Sequence, residues 1–147
     1  AAARRCGATE TVPSENLQAA KETVLAITDG KGCPRVIEAG GEQATLDLAS
    51  ELTAEGGRLI VAGYHQVGLR LVNMQLWNWR GLDVVNAHER DPDIIVSALR
   101  HAVDAVVAGD LDPFPLLTHQ FPLTAMADAF EMLQQRPDGF LKAVVQL

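Results

Sequence analysis

The chain has 147 residues and a formal net charge of −7, and it is 48% hydrophobic, 21% charged and 5% aromatic. That length suits one ordinary domain rather than two, and that apolar content excludes an intrinsically disordered tail. No Lys/Arg cluster exceeds the pair Arg4-Arg5 and every apolar run is short, which argues against an electrostatic nucleic-acid footprint and against a membrane-spanning helix.

The chain opens without Met on Ala1-Ala2-Ala3-Arg4-Arg5-Cys6-Gly7. This reads as the last turns of a helix, with basic residues at its C-terminal end and Gly7 as the left-handed cap. A helix end without its beginning points to a piece of a longer protein. Cys6 and Cys33 lie far apart with no CxxC spacing, so reduced thiols in a cytoplasmic protein are expected rather than a disulfide framework or a zinc module.

Thr9 to Val12 is a short β-like run closed by Pro13, and Ser14 is a fair N-cap for a helix from Glu15 to about Thr28, with Leu17, Ala20, Val24 and Ile27 at helical spacing. Arg35 to Ala39 is a short apolar strand running into Gly40-Gly41. A helix from about Glu42 to Thr53 follows, with Thr45, Leu48, Ala49 and Leu52 inward and Gly56-Gly57 at its end. Arg58 to Gly63 is apolar on both faces, as in a parallel sheet. From Tyr64 to Arg80 the period breaks down, although Met74, Leu76, Trp77 and Trp79 are large and apolar. Leu82 to Ala87 is a further strand. Asp91-Pro92 opens a long helix whose stripe is Ile95, Leu99, Ala102, Val103 and Val106, and Gly109 ends it. An extended run, Leu116 to Phe121, precedes a helix capped by Thr124, a turn at Pro137-Asp138-Gly139 and a final strand from Leu141 to Val145. Strands and helices that alternate with short Gly-bearing joints predict an α/β fold with a parallel sheet.

Such a sheet binds ligands beyond the carboxyl ends of its strands. Three ends are legible: Glu38-Ala39-Gly40-Gly41, Ala62-Gly63-Tyr64-His65 and Asn86-Ala87-His88-Glu89-Arg90. Their glycines either admit a ligand close to the backbone or only make turns. Glu38 reads as a general base or as a hydrogen-bonded turn residue. Of four histidines, His65 and His88 stand at strand ends, His101 sits on the long helix, and His119 lies in the Pro-bracketed run. No HxxH or HExxH spacing, no GxSxG, no P-loop and no GxGxxG occurs. No residue is assigned as catalytic or as a metal ligand.

The run Arg35-Val36-Ile37-Glu38-Ala39-Gly40-Gly41 resembles the VIEAxG segment of the medium-chain dehydrogenase/reductase family. Gly56-Gly57-Arg58-Leu59-Ile60-Val61-Ala62-Gly63-Tyr64 resembles its GGRLVVVG segment. Leu116 to Leu123, then Ala127, Ala129-Phe130, Gly139 and Lys142 to Val145, are similar to its C-terminal signature. Together they cover essentially the whole chain in order. The branch resembled is that of zinc-dependent alcohol, polyol and threonine dehydrogenases.

The resemblance implies a partial Rossmann fold with strands 3 to 6 only. Residues 1–87 would form the C-terminal part of the dinucleotide-binding domain, and residues 88–147 a connecting helix and a return to a GroES-like catalytic domain. It implies an NAD- or NADP-linked oxidoreductase acting on a small alcohol or polyol, in which zinc polarises the substrate oxygen and hydride passes to nicotinamide. The zinc ligands and phosphate loop belong to parts of the family subunit that do not match this chain, so the 147 residues by themselves are expected to be inactive. Ala39, Gly40 and Gly41 would line the adenosine side of the cofactor. Ala62, Gly63 and Tyr64 would meet the nicotinamide carboxamide through their backbone, Asn86 and His88 would lie beside its ring, and Lys142 would reach the diphosphate. The stretch 66–85 resembles the family's dimer-forming segment. The alternative is a non-catalytic assembly module.

Overall fold

The computed structural model describes residues 2–12 and 16–146. The chain's internal contacts divide it into two units, Glu10–Arg90 and Ala1–Thr9 with Asp91–Leu147.

In Glu10–Arg90, three strands form one parallel sheet in the order β1 (Cys33–Glu38), β2 (Thr53–Val61), β3 (Asp83–Asn86). Register places Val36, Leu59 and Val84 in one row, and Ile37, Ile60 and Val85 in the next. Because side chains alternate across a strand, these rows face opposite ways. The first row meets α3 (Gln43–Leu52) and α4 (Met74–Arg80): Leu59 is fully buried, and Leu46, Ala49, Val36, Val61, Val84 and the ring of Trp77 close around it. The second row has no helix of this unit over it, and Ile37 is 66% exposed. The helix α2 (Leu17–Ile27) packs on α3 rather than on the sheet.

Local chemistry accounts for the boundaries. The helix α3 starts where the Glu42 N–H donates to Thr45 Oγ1 at 3.2 Å, three residues into the helix. It ends at Leu52, and Thr53 already belongs to β2. Gly56-Gly57 therefore does not terminate the helix. It lies inside β2, where the register against β1 shifts between Cys33 and Arg35 and Gly56 takes φ +64, the bulge geometry that glycine permits. Pro34 sits at that irregularity on an edge strand, where its missing N–H is tolerated. The inward residues of α3 are Leu46, Ala49 and Ser50, with Leu48 and Leu52 half-buried. The stripe is thus rotated from the expected one, because the core lies on the side of Leu59.

Three other expectations are corrected. Asn16 caps α2 by accepting the Ala19 N–H at 3.0 Å, while the expected cap Ser14 lies outside the described residues. Thr9–Val12 takes no place in either sheet. In the order 3-2-1-4-5-6, the three strands present correspond to 4, 5 and 6, so a third strand would lack its ladder partner. The stretch before Arg80 is not irregular throughout: α4 is capped by Asn73, which accepts the Leu76 N–H at 3.0 Å, and is ended by Gly81 in the left-handed conformation.

In the other unit, α1 (Ala2–Arg5) ends as expected, with Gly7 at φ +94 and the Ala8 N–H on the Ala3 carbonyl at 3.0 Å. The helix α5 (Pro92–Ala108) starts from Asp91, which accepts the Asp93 N–H, and ends at Gly109. Its expected stripe is not buried: Leu99 and Val103 are each 61% exposed. Strands β4 (Leu117–Pro122) and β5 (Lys142–Gln146) pair in parallel, with α6 (Met126–Gln135) between them in sequence. Ala125, not Thr124, occupies the N-cap position of α6, because a 3₁₀ turn over Leu123–Ala125 precedes it.

Leu59→Ala should destabilise the chain by about 2–5 kcal/mol, because the side chain is fully enclosed. Urea unfolding followed by tryptophan fluorescence measures this, and a loss below about 1 kcal/mol would place the core elsewhere.

Candidate functional site

The parallel sheet brings three predicted loops to one edge. Each strand delivers its next residues beyond the same carboxyl end: Ala39 to Gly41 after β1, Ala62 to His65 after β2, and Ala87-His88 after Asn86 of β3. The Ala87 N–H donates to the Val61 carbonyl at 2.9 Å, and the Ala62 and Gly63 N–H groups both donate to the Glu38 carbonyl at 2.8 Å. The loops therefore continue the order of the strands.

The centre of this edge is the Glu38 side chain, 2% exposed. One carboxylate oxygen, Oε1, accepts the N–H groups of Gly40 and Gly41, each at 2.8 Å, and the Thr45 hydroxyl at 2.6 Å. The other, Oε2, is 3.1 Å from His65 Nε2. Arg70 Nε donates to His65 Nδ1 at 3.0 Å. Nδ1 is thus an acceptor, which places the ring proton on Nε2, and that N–H donates to Glu38 Oε2. Burial acts to raise the Glu38 pKa, but the hydrogen bonds from Thr45, Gly41, Gly40 and His65 outweigh it and hold the carboxyl below its ordinary value of 4.5. Glu38 is accordingly a charged, saturated turn residue. Its four donors leave it in no position to act as a general base, which resolves the two sequence readings in favour of the turn.

The same packing explains two glycines. A Cβ on Gly63 would lie 2.5 Å from both Glu38 Oε2 and Gly41 N, and one on Gly41, at φ +74, would lie 2.7 Å from the Tyr64 carbonyl. The loops after β1 and β2 touch through their backbones, and only glycine permits that approach.

The remaining predicted residues divide between the units. The rings of Tyr64 and His88 pack at a tilt of 31° with centroids 5.5 Å apart, and Asn86 Oδ1 accepts the His88 N–H at 2.9 Å, so this pair forms the outer wall of the same edge. Tyr64 is 65% exposed. Lys142 lies in the other unit, at the start of β5. There it borders an apolar hollow of about 420 Å³ lined also by Phe130, Leu133, Phe140 and Val145, and its carbonyl accepts the Thr118 hydroxyl at 3.3 Å. His119 contacts the Thr118 hydroxyl at 3.0 Å and stacks on Phe140. In the stretch 66–85, Trp77 faces inward, its indole N–H on Ser50 Oγ at 3.1 Å, whereas Trp79 is 84% exposed.

Sequence reasoning missed Thr45 and Arg70. Arg70 carried a signal, being the only cation between Arg58 and Arg80 in an apolar stretch. Its three donor groups reach His65 Nδ1, the Val67 carbonyl and the Gly41 carbonyl. Among the described residues no group of three or more His, Cys, Asp or Glu side chains converges as metal ligands do. Among the same described residues no helix is long and apolar enough to cross a membrane.

An open parallel sheet with close-approach loops at the carboxyl ends of its strands is the architecture of the doubly wound α/β class, in which ligands bind at that edge. The zinc-binding dehydrogenase family model matches residues 1–107, and the chain belongs to that family, as the C-terminal portion of a medium-chain dehydrogenase. It is 29% identical over 139 residues to the L-threonine 3-dehydrogenase of Bacillus subtilis (strain 168), covering 93% of this chain and 38% of that protein. It is 30% identical over 149 residues to the NADP-dependent isopropanol dehydrogenase of Clostridium beijerinckii, covering 99% and 42%. The solved structure of zinc-dependent alcohol dehydrogenase 2 from Streptococcus pneumonia, in its apo form, shares the fold, with a TM-score of 0.86 at 23% identity, over 99% of this chain and 40% of that one. The chain spans about two fifths of the length of these relatives.

Glu38→Gln replaces Oε2 with an amide that opposes the His65 N–H, donor against donor. It should cost about 1–3 kcal/mol at neutral pH. The carboxyl's folded pKa is lowered, so its stabilisation is complete above 4.5 and is lost as pH falls through the folded value. Urea unfolding of parent and variant should therefore converge on acidification. Gly63→Ala should destabilise by about 1–3 kcal/mol through overpacking, measured the same way, whereas the open position Gly68 offers a strained-φ comparison without a clash.

Proposed function

We propose that this chain is the cofactor-orienting part of a cytoplasmic, zinc-dependent NAD(P)-linked oxidoreductase that acts on a small alcohol or polyol. The observation that carries the reading is the convergence of Ala39 to Gly41, Ala62 to Tyr64 and Asn86 to His88 at one end of three adjacent parallel strands, in a chain of this family. These loops suit a dinucleotide chemically. Two are glycine-bearing backbone, and the third brings His88 against Tyr64 of the second, an aromatic surface against which a planar ring can lie. The Ala62 and Gly63 N–H groups already serve the Glu38 carbonyl, so a carboxamide at this loop would meet the Tyr64 N–H and the carbonyls of Ala62 and Gly63. Gly40 and Gly41 would border the adenosine, and Lys142 would meet the diphosphate. The bound nicotinamide would supply hydride acceptance from the alcohol carbon. The chain's own residues would hold and orient it. The described residues supply no zinc ligand set, and the metal would belong to the rest of the subunit.

The exposed Trp79, on a helix whose inner face is already occupied by Trp77, supports a subunit contact through 66–85, since aromatics are enriched in interface cores.

Two experiments on the complete enzyme test these assignments. Lys142→Ala should raise the dinucleotide dissociation constant about tenfold to a hundredfold, with Lys142→Arg losing much less. Titration of dinucleotide fluorescence at low salt reads this, and an unchanged constant sends the side chain to solvent. Trp79→Ser should shift the enzyme toward monomer in sedimentation velocity, and an unaltered assembly removes 66–85 as the contact.

A further inference from the structure

Arg70 is the least expected element of the site. It stands nine residues beyond the end of β2 on a loop with no regular structure, and its guanidinium makes three hydrogen bonds to three separate points of the chain. Nε donates to the His65 ring, one terminal nitrogen donates to the Val67 carbonyl within its own loop, and the other donates to the Gly41 carbonyl at 3.0 Å. The planar fork of Arg can serve three acceptors in fixed directions, whereas the single ammonium of Lys cannot. Arg70 is half-buried, so these charge-assisted bonds are partly shielded from water.

The contacts form a closed circuit. Arg70 holds His65 by Nδ1, His65 holds Glu38 by Nε2, Glu38 holds the Gly40 and Gly41 N–H groups, and Gly41 returns its carbonyl to Arg70. One residue further on, the Gln43 side chain accepts the Leu71 N–H and donates to the Leu71 carbonyl, both at 2.9 Å, so the loop is tied again directly behind Arg70. The circuit includes both glycine-bearing loops. Arg70, His65 and Glu38 need not themselves touch a ligand.

We propose that Arg70 is a positioning residue, which acts through His65 and Glu38 to fix the two loops after β1 and β2 relative to each other; that these loops then present a dinucleotide rests on the function proposed above. Arg70 presents an N–H to Nδ1, so it admits only the imidazole tautomer whose proton lies on Nε2. That tautomer gives Glu38 Oε2 its donor. Without the guanidinium, the Gly41 carbonyl and the His65 ring each lose a partner, and the loops are joined mainly by the Ala62 and Gly63 bonds to the Glu38 carbonyl.

Two readings on the 147-residue chain decide the proposal. In ¹⁵N-detected imidazole spectra, parent His65 should show a protonated Nε2 and an unprotonated, hydrogen-bonded Nδ1, and the Nδ1 resonance should move in Arg70→Met. An Nδ1–H tautomer in the parent, or an Nδ1 resonance untouched by the substitution, overturns the circuit. The first of these needs no variant and is independent of variant folding. In amide hydrogen exchange, Gly40, Gly41, Ala62 and Gly63 should exchange about tenfold to a hundredfold faster in Arg70→Met. The amides of Leu46 and Ala49 in the core should be unchanged, and Arg70→Lys should restore little of the protection. Equal exchange in parent and Arg70→Met, or full restoration by Lys, overturns the positioning role. NAD and NADP titrations of the complete enzyme separate this from the functional reading. A parent enzyme that binds neither, while Arg70→Met still frees the four amides, defeats the dinucleotide assignment alone and supports the positioning role. Binding that is as tight in Arg70→Met as in the parent overturns the inference that the circuit serves the ligand.

Discussion

A buried carboxylate needs donors, and meeting that need organises this molecule's functional edge. Glu38 ends β1 on the covered face of the sheet, in the row it shares with Val61 and Asn86. An ionised group this deep is tolerated only when its lone pairs are satisfied. The chain supplies the donors from three places at once: two consecutive glycine N–H groups in the turn that follows, a hydroxyl from the first turn of α3, and an imidazole from the loop after β2. The N-terminus of α3 adds a favourable dipole. Each donor belongs to a loop that has to be held, so satisfying the charge and shaping the edge are one event. The glycines at 41 and 63 follow from this, because a side chain at either would separate the loops that Glu38 draws together.

The sheet behind this edge is finished on one side only. α3 and α4 bury the row of Val36, Leu59 and Val84, while Ile37 and Val85 in the adjacent row remain exposed, as do Leu99 and Val103 on α5. Large exposed apolar faces on regular elements are surfaces made for packing. A chain that matches about two fifths of its relatives' length is expected to carry such faces. The polar circuit around Glu38 lies on the covered side, which accounts for its being complete within the described residues.

Much of this was legible from the sequence because it depends on short-range rules. The glycine at the end of α1, the Asp91-Pro92 start and Gly109 stop of α5, the apolar runs of β1 and β2, and the strand ends bearing Ala39 to Gly41, Ala62 to Tyr64 and Asn86 to His88 are all set by residues within a few positions of one another. The errors are local rules overruled at longer range. Gly56-Gly57 read as a helix stop and became a strand bulge, because β2 had to begin at Thr53 to pair with Cys33. Met74 to Arg80 read as irregular, because seven residues are too few to show a period, although the caps Asn73 and Gly81 were in view.

By itself the sequence determined the fold class, the order of the elements, the strand ends that share one edge and the family, since alternating strands and helices with glycine joints admit few parallel-sheet topologies. Only the tertiary structure decided what Glu38, His65 and Arg70 are for. Glu38 and His65 are 27 positions apart in the chain, and Gly41 and Arg70 are 29 apart. No periodicity spans such distances. They are closed by the parallel register of β1 on β2, which sets the two loops side by side and makes an acid, an imidazole and a guanidinium into one hydrogen-bonded unit.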